Sequence, residues 1–246
     1  MFDIAIRKYL HKHGFRTFCP KVVLFDMDGV LYNSMPNHAI AWQKAMRSFG
    51  LDMTEHDAYA TEGQRGIDTI RIMAKEQLDK DITEQQAQEM YDEKARIFGL
   101  LPEAPVMEGA KELMQQIKNS GLQIGIVTGS GQRPLIERLQ RDFGNFVDAE
   151  HIVTAYDVKR GKPAPDPYIM GLKKAGNMKP WEGIVVENAP LGVCAGSSAR
   201  IFTVGVNTGP LPDCDLWQQG ADMVFSSMAE LDKKWGRLPQ SQYNQV

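Results

Sequence analysis

The rhythm of apolar positions changes three times along the chain. After Lys21, Val22-Val23-Leu24-Phe25 runs without a polar break, the pattern of a short strand buried on both faces of a parallel sheet. It stops at Asp26-Met27-Asp28-Gly29. A helical rhythm follows. Ser34 is a candidate N-cap, Pro36 suits the first turn, and Ala41, Trp42, Ala45, Met46 and Phe49 recur at helical spacing until Gly50. Two more stripes, Ile67-Ile70-Met73-Leu78 and Ala87-Met90-Tyr91-Ala95-Phe98, predict helices with polar outer faces before Pro102 and Pro105 break the pattern. Beyond Pro105, helix and strand alternate. Ala110, Leu113, Met114 and Ile117 mark a helix ended by Gly121; Gln123–Val127 reads as a buried strand ending in Thr128-Gly129-Ser130; Leu135, Ile136, Leu139 and Phe143 mark another helix. Ile184-Val185-Val186, Ile201–Val206 and Met223–Phe225 are further strand candidates.

Alternation of this kind predicts an α/β fold, a Rossmann-like parallel sheet with helices on both faces. The helical stretch after the first strand is an insertion, a cap over 34–103. The core is expected to comprise 21–33 and 104–236, with 1–20 an N-terminal extension and 237–246 a polar tail.

Composition narrows the function classes. Basic and acidic residues number 28 and 31, a balance that gives no reason to expect a nucleic-acid partner. Apolar runs fall far short of the roughly 20 residues a membrane span needs, and 1–20 carries scattered Arg7, Lys8, Lys12 and Arg16 rather than the apolar block of a signal peptide. Cys19, Cys194 and Cys214 show no CxxC spacing, so reduced thiols and a cytoplasmic location are expected. His11 and His13 form an isolated pair without further zinc-ligand spacing. Oligomeric state is open, a monomer being preferred.

The polar groups at the strand ends suit phosphate chemistry. Two carboxylates at the end of a buried strand are costly unless they serve a purpose, and the C-terminal edge of an open α/β sheet is where ligands bind. A carboxylate attacking an anionic phosphate ester needs the repulsion cancelled, for which Mg²⁺ with oxygen ligands is suited. Asp26 can ligate metal and attack phosphorus; Asp28 can serve as acid–base partner. Thr128 offers a hydroxyl and the following turn offers N–H donors; Lys162 offers a compact positive charge; Glu187 and Asn188 offer oxygens to metal.

Asp26-Met27-Asp28-Gly29-Val30, the strand ending in Thr128, Gly161-Lys162-Pro163-Ala164-Pro165-Asp166 and Val185-Val186-Glu187-Asn188-Ala189-Pro190-Leu191-Gly192 together resemble, in order, the four motifs of the haloacid dehalogenase superfamily. The nearest subgroup is the β-phosphoglucomutase-like enzymes and sugar-phosphate phosphatases, which carry a helical cap between the first two motifs. The resemblance implies Asp26 as nucleophile, Asp28 as acid–base aspartate whose backbone carbonyl also binds Mg²⁺, Thr128 and Lys162 as the second and third catalytic elements, and Gly129 and Ser130 beside the substrate phosphate. Glu187 and Asn188 occupy the paired acidic motif as metal ligands. It implies His38, one helical turn before Trp42, lining the site near Asp28. Arg65, in the cap loop Thr61-Glu62-Gly63-Gln64-Arg65-Gly66, is expected to bind substrate.

Asn188 departs from the family pattern, which has Asp there; with no charge at that position, Glu187 is expected to carry more of the metal binding. The Gly-x-Arg order of the cap loop is that of sugar-phosphate phosphatases, whereas β-phosphoglucomutases place Arg one residue later, where Gly66 stands. The expected activity is therefore Mg²⁺-dependent phosphoryl transfer from a small phosphorylated sugar or polyol through an aspartyl-phosphate, with water as acceptor. A mutase of the β-phosphoglucomutase type is the alternative, and a non-catalytic sugar-phosphate-binding module the alternative of another class. A dehalogenase is disfavoured by Asp28, and for a phosphonate hydrolase nothing around Lys44 supports a Schiff-base role.

Overall fold

The computed structural model describes residues 2–130, 133–238 and 243–244. Strand β1 (Thr17–Phe18) pairs antiparallel with β8 (Tyr243–Asn244). The other six strands, β2 (Val22–Phe25), β3 (Gln123–Val127), β4 (Ile152–Val153), β5 (Gly183–Glu187), β6 (Phe202–Val206) and β7 (Met223–Phe225), form one parallel sheet in the order β4-β3-β2-β5-β6-β7. The α/β class predicted from the alternating rhythm is the one the chain adopts. Strand β4, only two residues long, left no periodic signal.

Side-chain alternation sends each strand's residues to two different cores. Val23, Phe25, Ile124, Ile126, Ile184, Val186, Phe202 and Val204 enter one apolar cluster, whereas Val22, Leu24, Val127 and Val185 enter the other. The first is covered by α1 (Phe2–His13), α6 (Ala110–Asn119), α7 (Arg133–Phe143) and α11 (Met228–Trp235); the second by α8 (Asp166–Lys174) and α9 (Pro190–Ser198). Double coverage explains why the strands read as continuous apolar runs.

The reading of 1–20 as an extension is corrected. Phe2, Ala5, Ile6, Tyr9 and Leu10 are buried in the main cluster, and the Tyr9 hydroxyl donates to the Arg200 carbonyl at 2.9 Å. These apolar positions are separated by charged residues, so no contiguous block marked them. Tyr9 also packs edge-on against Phe18 and Phe202. Tyr9→Ala should cost about 3–5 kcal/mol, the range for emptying a buried aromatic site. Equilibrium urea unfolding checks this; an appendage position would change stability by no more than about 0.5 kcal/mol. The tail expected over 237–246 lies outside the described residues except at 237–238 and in β8.

Between β2 and α6 stand α2 (Met35–Ser48), α3 (Glu55–Ala60), α4 (Gly66–Leu78) and α5 (Glu84–Gly99). They share a separate apolar cluster containing Trp42, Met46, Tyr59, Ile70, Met73 and Met90. Thr54 and Thr83 start α3 and α5 with capping boxes to Asp57 and Gln86. Phe49, at the end of the helical spacing, follows the last turn of α2 and is 41% exposed. Helix α2 does end there, with Gly50 at φ +75°. Among the described residues no helix is long and apolar enough to cross a membrane.

Candidate active site

Strand β2 lies between β3 and β5, so the residues after these three strands meet at one sheet edge. The chain moves outward to β3 and β4 on one side and to β5, β6 and β7 on the other, which makes this edge a topological switch point. Asp26 leaves β2 with its N–H donating to the Val186 carbonyl at 3.0 Å. Thr128 leaves β3, its N–H donating to Val153 and its Oγ1 accepting the Ser130 N–H at 3.0 Å. Asn188 leaves β5. Lys162 enters from the loop preceding α8.

The Lys162 ammonium is buried among three acceptors. It donates to Asp26 Oδ1, to Glu187 Oε1 at 2.6 Å and to the Val127 carbonyl at 3.3 Å. Burial disfavours its charge, but Asp26 and Glu187 outweigh that effect and hold its pKa well above the usual lysine range. Burial also pushes the Asp26 carboxyl well up; Lys162 opposes this, while Glu187 and Asp28 add to it.

The metal-ligand role expected of Glu187 is corrected. Its Oε1 accepts from Lys162 and from the Tyr168 hydroxyl at 2.9 Å; its Oε2 accepts the N–H groups of Asn188 and Ala189 at 2.9 and 3.0 Å. Four donors engage the carboxylate, and the residue is wholly buried. Glu187 therefore fixes Lys162 and the turn into α9. Gly192 fits against it because a Cβ there would fall 1.7 Å from Oε1.

Asp28 is held from the helical side. Ser34 occupies the N-cap position of α2 but does not cap it; its hydroxyl donates instead to Asp28 Oδ1 at 2.6 Å. His38 Nε2 lies 3.2 Å from the same oxygen, and His38 Nδ1 lies 2.8 Å from Lys94 Nζ. A lysine ammonium only donates, so Nδ1 is the acceptor and Nε2 carries the hydrogen directed at Asp28. Burial opposes ionisation of Asp28, but His38, Ser34 and Lys94 overcome it and hold the carboxyl below its ordinary range.

Lys94 sits near the rings of Trp42, Tyr91 and Phe98, 5.1–5.8 Å from their centroids. Burial lowers its pKa to about 8, against the pull of Glu62 and Asp28. Between pH 8 and the unfolded value the unfolded chain binds more protons, so this group's contribution to stability rises with pH. From pH 7.5 to 9.5 the parent should gain on the order of 2 kcal/mol relative to Lys94→Met, read from urea unfolding of both proteins.

A hard cation fits beside Asp26. Asn188 Oδ1 is buried without a hydrogen-bond partner, an acceptor in need of a ligand. Gly29, at φ +80°, lets the chain pass over Asn188, for a Cβ there would fall 2.1 Å from Nδ2. Among the described residues no three His, Cys, Asp or Glu side chains form a metal cluster. The oxygens that would hold it are the Asp26 carboxylate and the Asn188 amide oxygen, with the Asp28 carbonyl that the family resemblance implies, donors suited to Mg²⁺.

The loop after α3 closes the site. Gly63 adopts φ +84° against Lys162 and Gly129, and Gln64 forms a β-bridge to Lys162. A chamber of about 70 Å³ remains, lined by Asp26, Asp28, His38, Lys94, Gly129 and Ser130 together with Glu62. Thr128 and Lys162 also line an outer cleft of about 360 Å³ bounded by Tyr91, Tyr156 and Lys159. Arg65 lines this cleft and not the chamber. Its side chain is 47% exposed and 4.0 Å from Asp68 and Glu84.

Three site residues escaped the sequence reading. Lys94 follows Tyr91 at the spacing of the buried stripe on α5, and a charge on that stripe was the available signal. Tyr168 and Glu62 carried no signal of their own; only folding of α8 and of the loop after α3 brings them in. Lys44, the lysine weighed for phosphonate chemistry, is exposed.

Comparison with known proteins agrees with the geometry. A validoxylamine A 7'-phosphate phosphatase from Streptomyces hygroscopicus subsp. limoneus is 32% identical over 225 residues, covering 89% of this chain and 98% of that protein. Hexitol phosphatase A from Escherichia coli is 33% identical over 187 residues, covering 76% and 83%. A solved structure described as "Putative beta-phosphoglucomutase from Bacteroides vulgatus" superposes with a TM-score of 0.92 at 47% identity, covering 96% of both chains. Residues 20–200 match the model of the haloacid dehalogenase-like hydrolases, and the chain belongs to that family.

Proposed function

We propose that this protein is a Mg²⁺-dependent phosphatase of small phosphorylated sugars or polyols, working through phospho-Asp26. The observation that carries the reading is the pairing across the small chamber. A buried carboxylate, Asp26, is fixed by Lys162, and a second carboxylate, Asp28, is fixed from the helical side by Ser34 and His38. The phosphatase relatives support the choice of substrate class.

Asp26 attacks phosphorus while Lys162 and the Thr128 hydroxyl hold the phosphoryl oxygens. Asp28, in its protonated form, donates to the leaving alkoxide. Now ionised, it takes a proton from the water that opens the aspartyl-phosphate. Mg²⁺, held by Asp26, Asn188 and the Asp28 carbonyl, would supply charge neutralisation for the anionic ester. The helices α2–α5 serve as a cap, and the docked loop at Gly63 excludes bulk water from the reacting groups. Admission of substrate requires that loop to move off Lys162.

The mutase reading draws support from the Bacteroides vulgatus relative. Incubation with β-glucose 1-phosphate, Mg²⁺ and a trace of glucose 1,6-bisphosphate separates the two. Free glucose and inorganic phosphate are expected; accumulation of glucose 6-phosphate would establish the mutase instead. Absence of Mg²⁺-dependent turnover across a broad sugar-phosphate panel would leave the binding module.

Asn188 supplies an uncharged oxygen where a carboxylate would attract the cation more strongly. Asn188→Asp is therefore expected to tighten Mg²⁺ binding by about tenfold, since affinity at oxygen sites follows ligand charge. Titration calorimetry reads this directly, and unchanged affinity would count against Asn188 as a ligand.

A further inference from the structure

We propose that Glu62 selects substrates with one phosphoryl group, by accepting hydrogen bonds from leaving-group hydroxyls and repelling a second phosphate. The inference rests on the phosphatase reading above and specifies its substrate class further.

The charged groups of the chamber divide sharply. Asp26 is engaged by Lys162. Asp28 is engaged by Ser34 and His38, and His38 in turn by Lys94. Lys94 is further surrounded by three aromatic rings. Glu62 lines the same chamber, yet among the described residues its carboxylate accepts no hydrogen bond; the cations Lys94 and Lys162 act on it only through space. Among those residues, the carboxylate that faces an incoming leaving group with its hydrogen-bonding oxygens unengaged is thus Glu62, although His38, Lys94 and Lys162 attract it through space. Arg65, the neighbouring cation in the loop, lies in the outer cleft beside Asp68 and Glu84.

Backbone geometry fixes this arrangement. Gly63 packs on Lys162 and Gly129, and Gln64 bridges to Lys162, so Glu62 is anchored from its C-terminal side on the core. Burial raises its pKa; His38, Lys94 and Lys162 oppose that shift and Asp28 adds to it. In either protonation state the carboxyl accepts from a hydroxyl. The ionised form repels a phosphate dianion in a space from which screening water is largely excluded. A sugar or polyol monophosphate presents hydroxyls there; a bisphosphate presents a second anion. The same repulsion disfavours turnover through a bisphosphate, as a mutase requires.

Titration calorimetry tests the proposal on the full chain carrying Asp26→Asn, in Mg²⁺, with glucose 6-phosphate and glucose 1,6-bisphosphate as probes. The monophosphate should bind more tightly. Adding Glu62→Gln should shift the ratio of the two dissociation constants toward the bisphosphate by at least about tenfold, whereas Glu62→Asp should keep the parent's order. Thermal unfolding of each variant verifies that it is folded. A ratio unmoved by Glu62→Gln, an equal shift in Glu62→Asp, or preference for the bisphosphate before Glu62 is changed would each overturn the proposal. Failure to bind either probe would also overturn it. Phosphate release from p-nitrophenyl phosphate by the unmodified chain then tells whether the phosphatase reading falls as well.

Discussion

Asp26→Asn should lower phosphate release by at least about 10⁴-fold, since a carboxamide cannot form the acyl-phosphate and loss of a catalytic nucleophile costs on this scale. The fold should survive the change. Lys162 keeps its bonds to Glu187 and Val127, and the buried carboxyl removed is one whose ionisation burial already opposes. A melting temperature equal to or above the parent's is therefore expected alongside the loss of turnover. Steady-state release of inorganic phosphate, with thermal unfolding of the same samples, measures both. Activity within tenfold of the parent would remove Asp26 from the nucleophile's place.

Lys162→Met should damage stability as well as turnover. The substitution leaves Asp26 and Glu187 facing each other in the protein interior without the cation that joins them. Breaking a buried ion pair on one side costs about 3–5 kcal/mol, and in a chain of this size that lowers the melting temperature by roughly 10 °C or more. The deficit should depend on pH in a definite sense. Carboxylates buried without a cation have raised pKa values and bind protons that the unfolded chain releases, so the variant regains stability as pH falls. Melts at pH 5 and pH 8 should show the smaller gap to the parent at pH 5; a gap independent of pH would mean that packing, not charge, dominates.

The sheet was legible because its strands are covered on both sides. Val22–Phe25, Ile124–Val127 and Ile184–Val186 carry no charged or amide side chain, and polar residues follow each of them at the candidate site. Helix α1 was not legible, since Phe2, Ile6, Tyr9 and Leu10 are interleaved with Asp3, Arg7 and Lys8. At the site, Asp26, Asp28, Thr128 and Lys162 were placed from motifs that persist without knowledge of the fold. Glu187 was misread because sequence reveals a carboxylate's presence and not its partners; Tyr168 and two backbone N–H groups are what engage it. Arg65 and Glu62 are three residues apart in one loop, and the Gly-x-Arg order, through its likeness to sugar-phosphate phosphatases, pointed to the arginine. The positive φ of Gly63 docks that loop against Lys162 and Gly129, a contact no residue pattern announces.

Strand β2 hydrogen-bonds to β3 and β5, which follow it only after the whole block of α2–α5 and much of the second half of the chain. At ribosomal speeds, roughly ten to thirty seconds separate the emergence of Asp26 from that of Asn188. During that interval α2–α5 can pair with one another, being contiguous, whereas the aspartates gain β3 and β4 on one side and still lack β5 on the other. A nascent chain halted before β5 thus carries the cap helices but no assembled reaction centre, so turnover, if measured during translation, would report completion of the sheet.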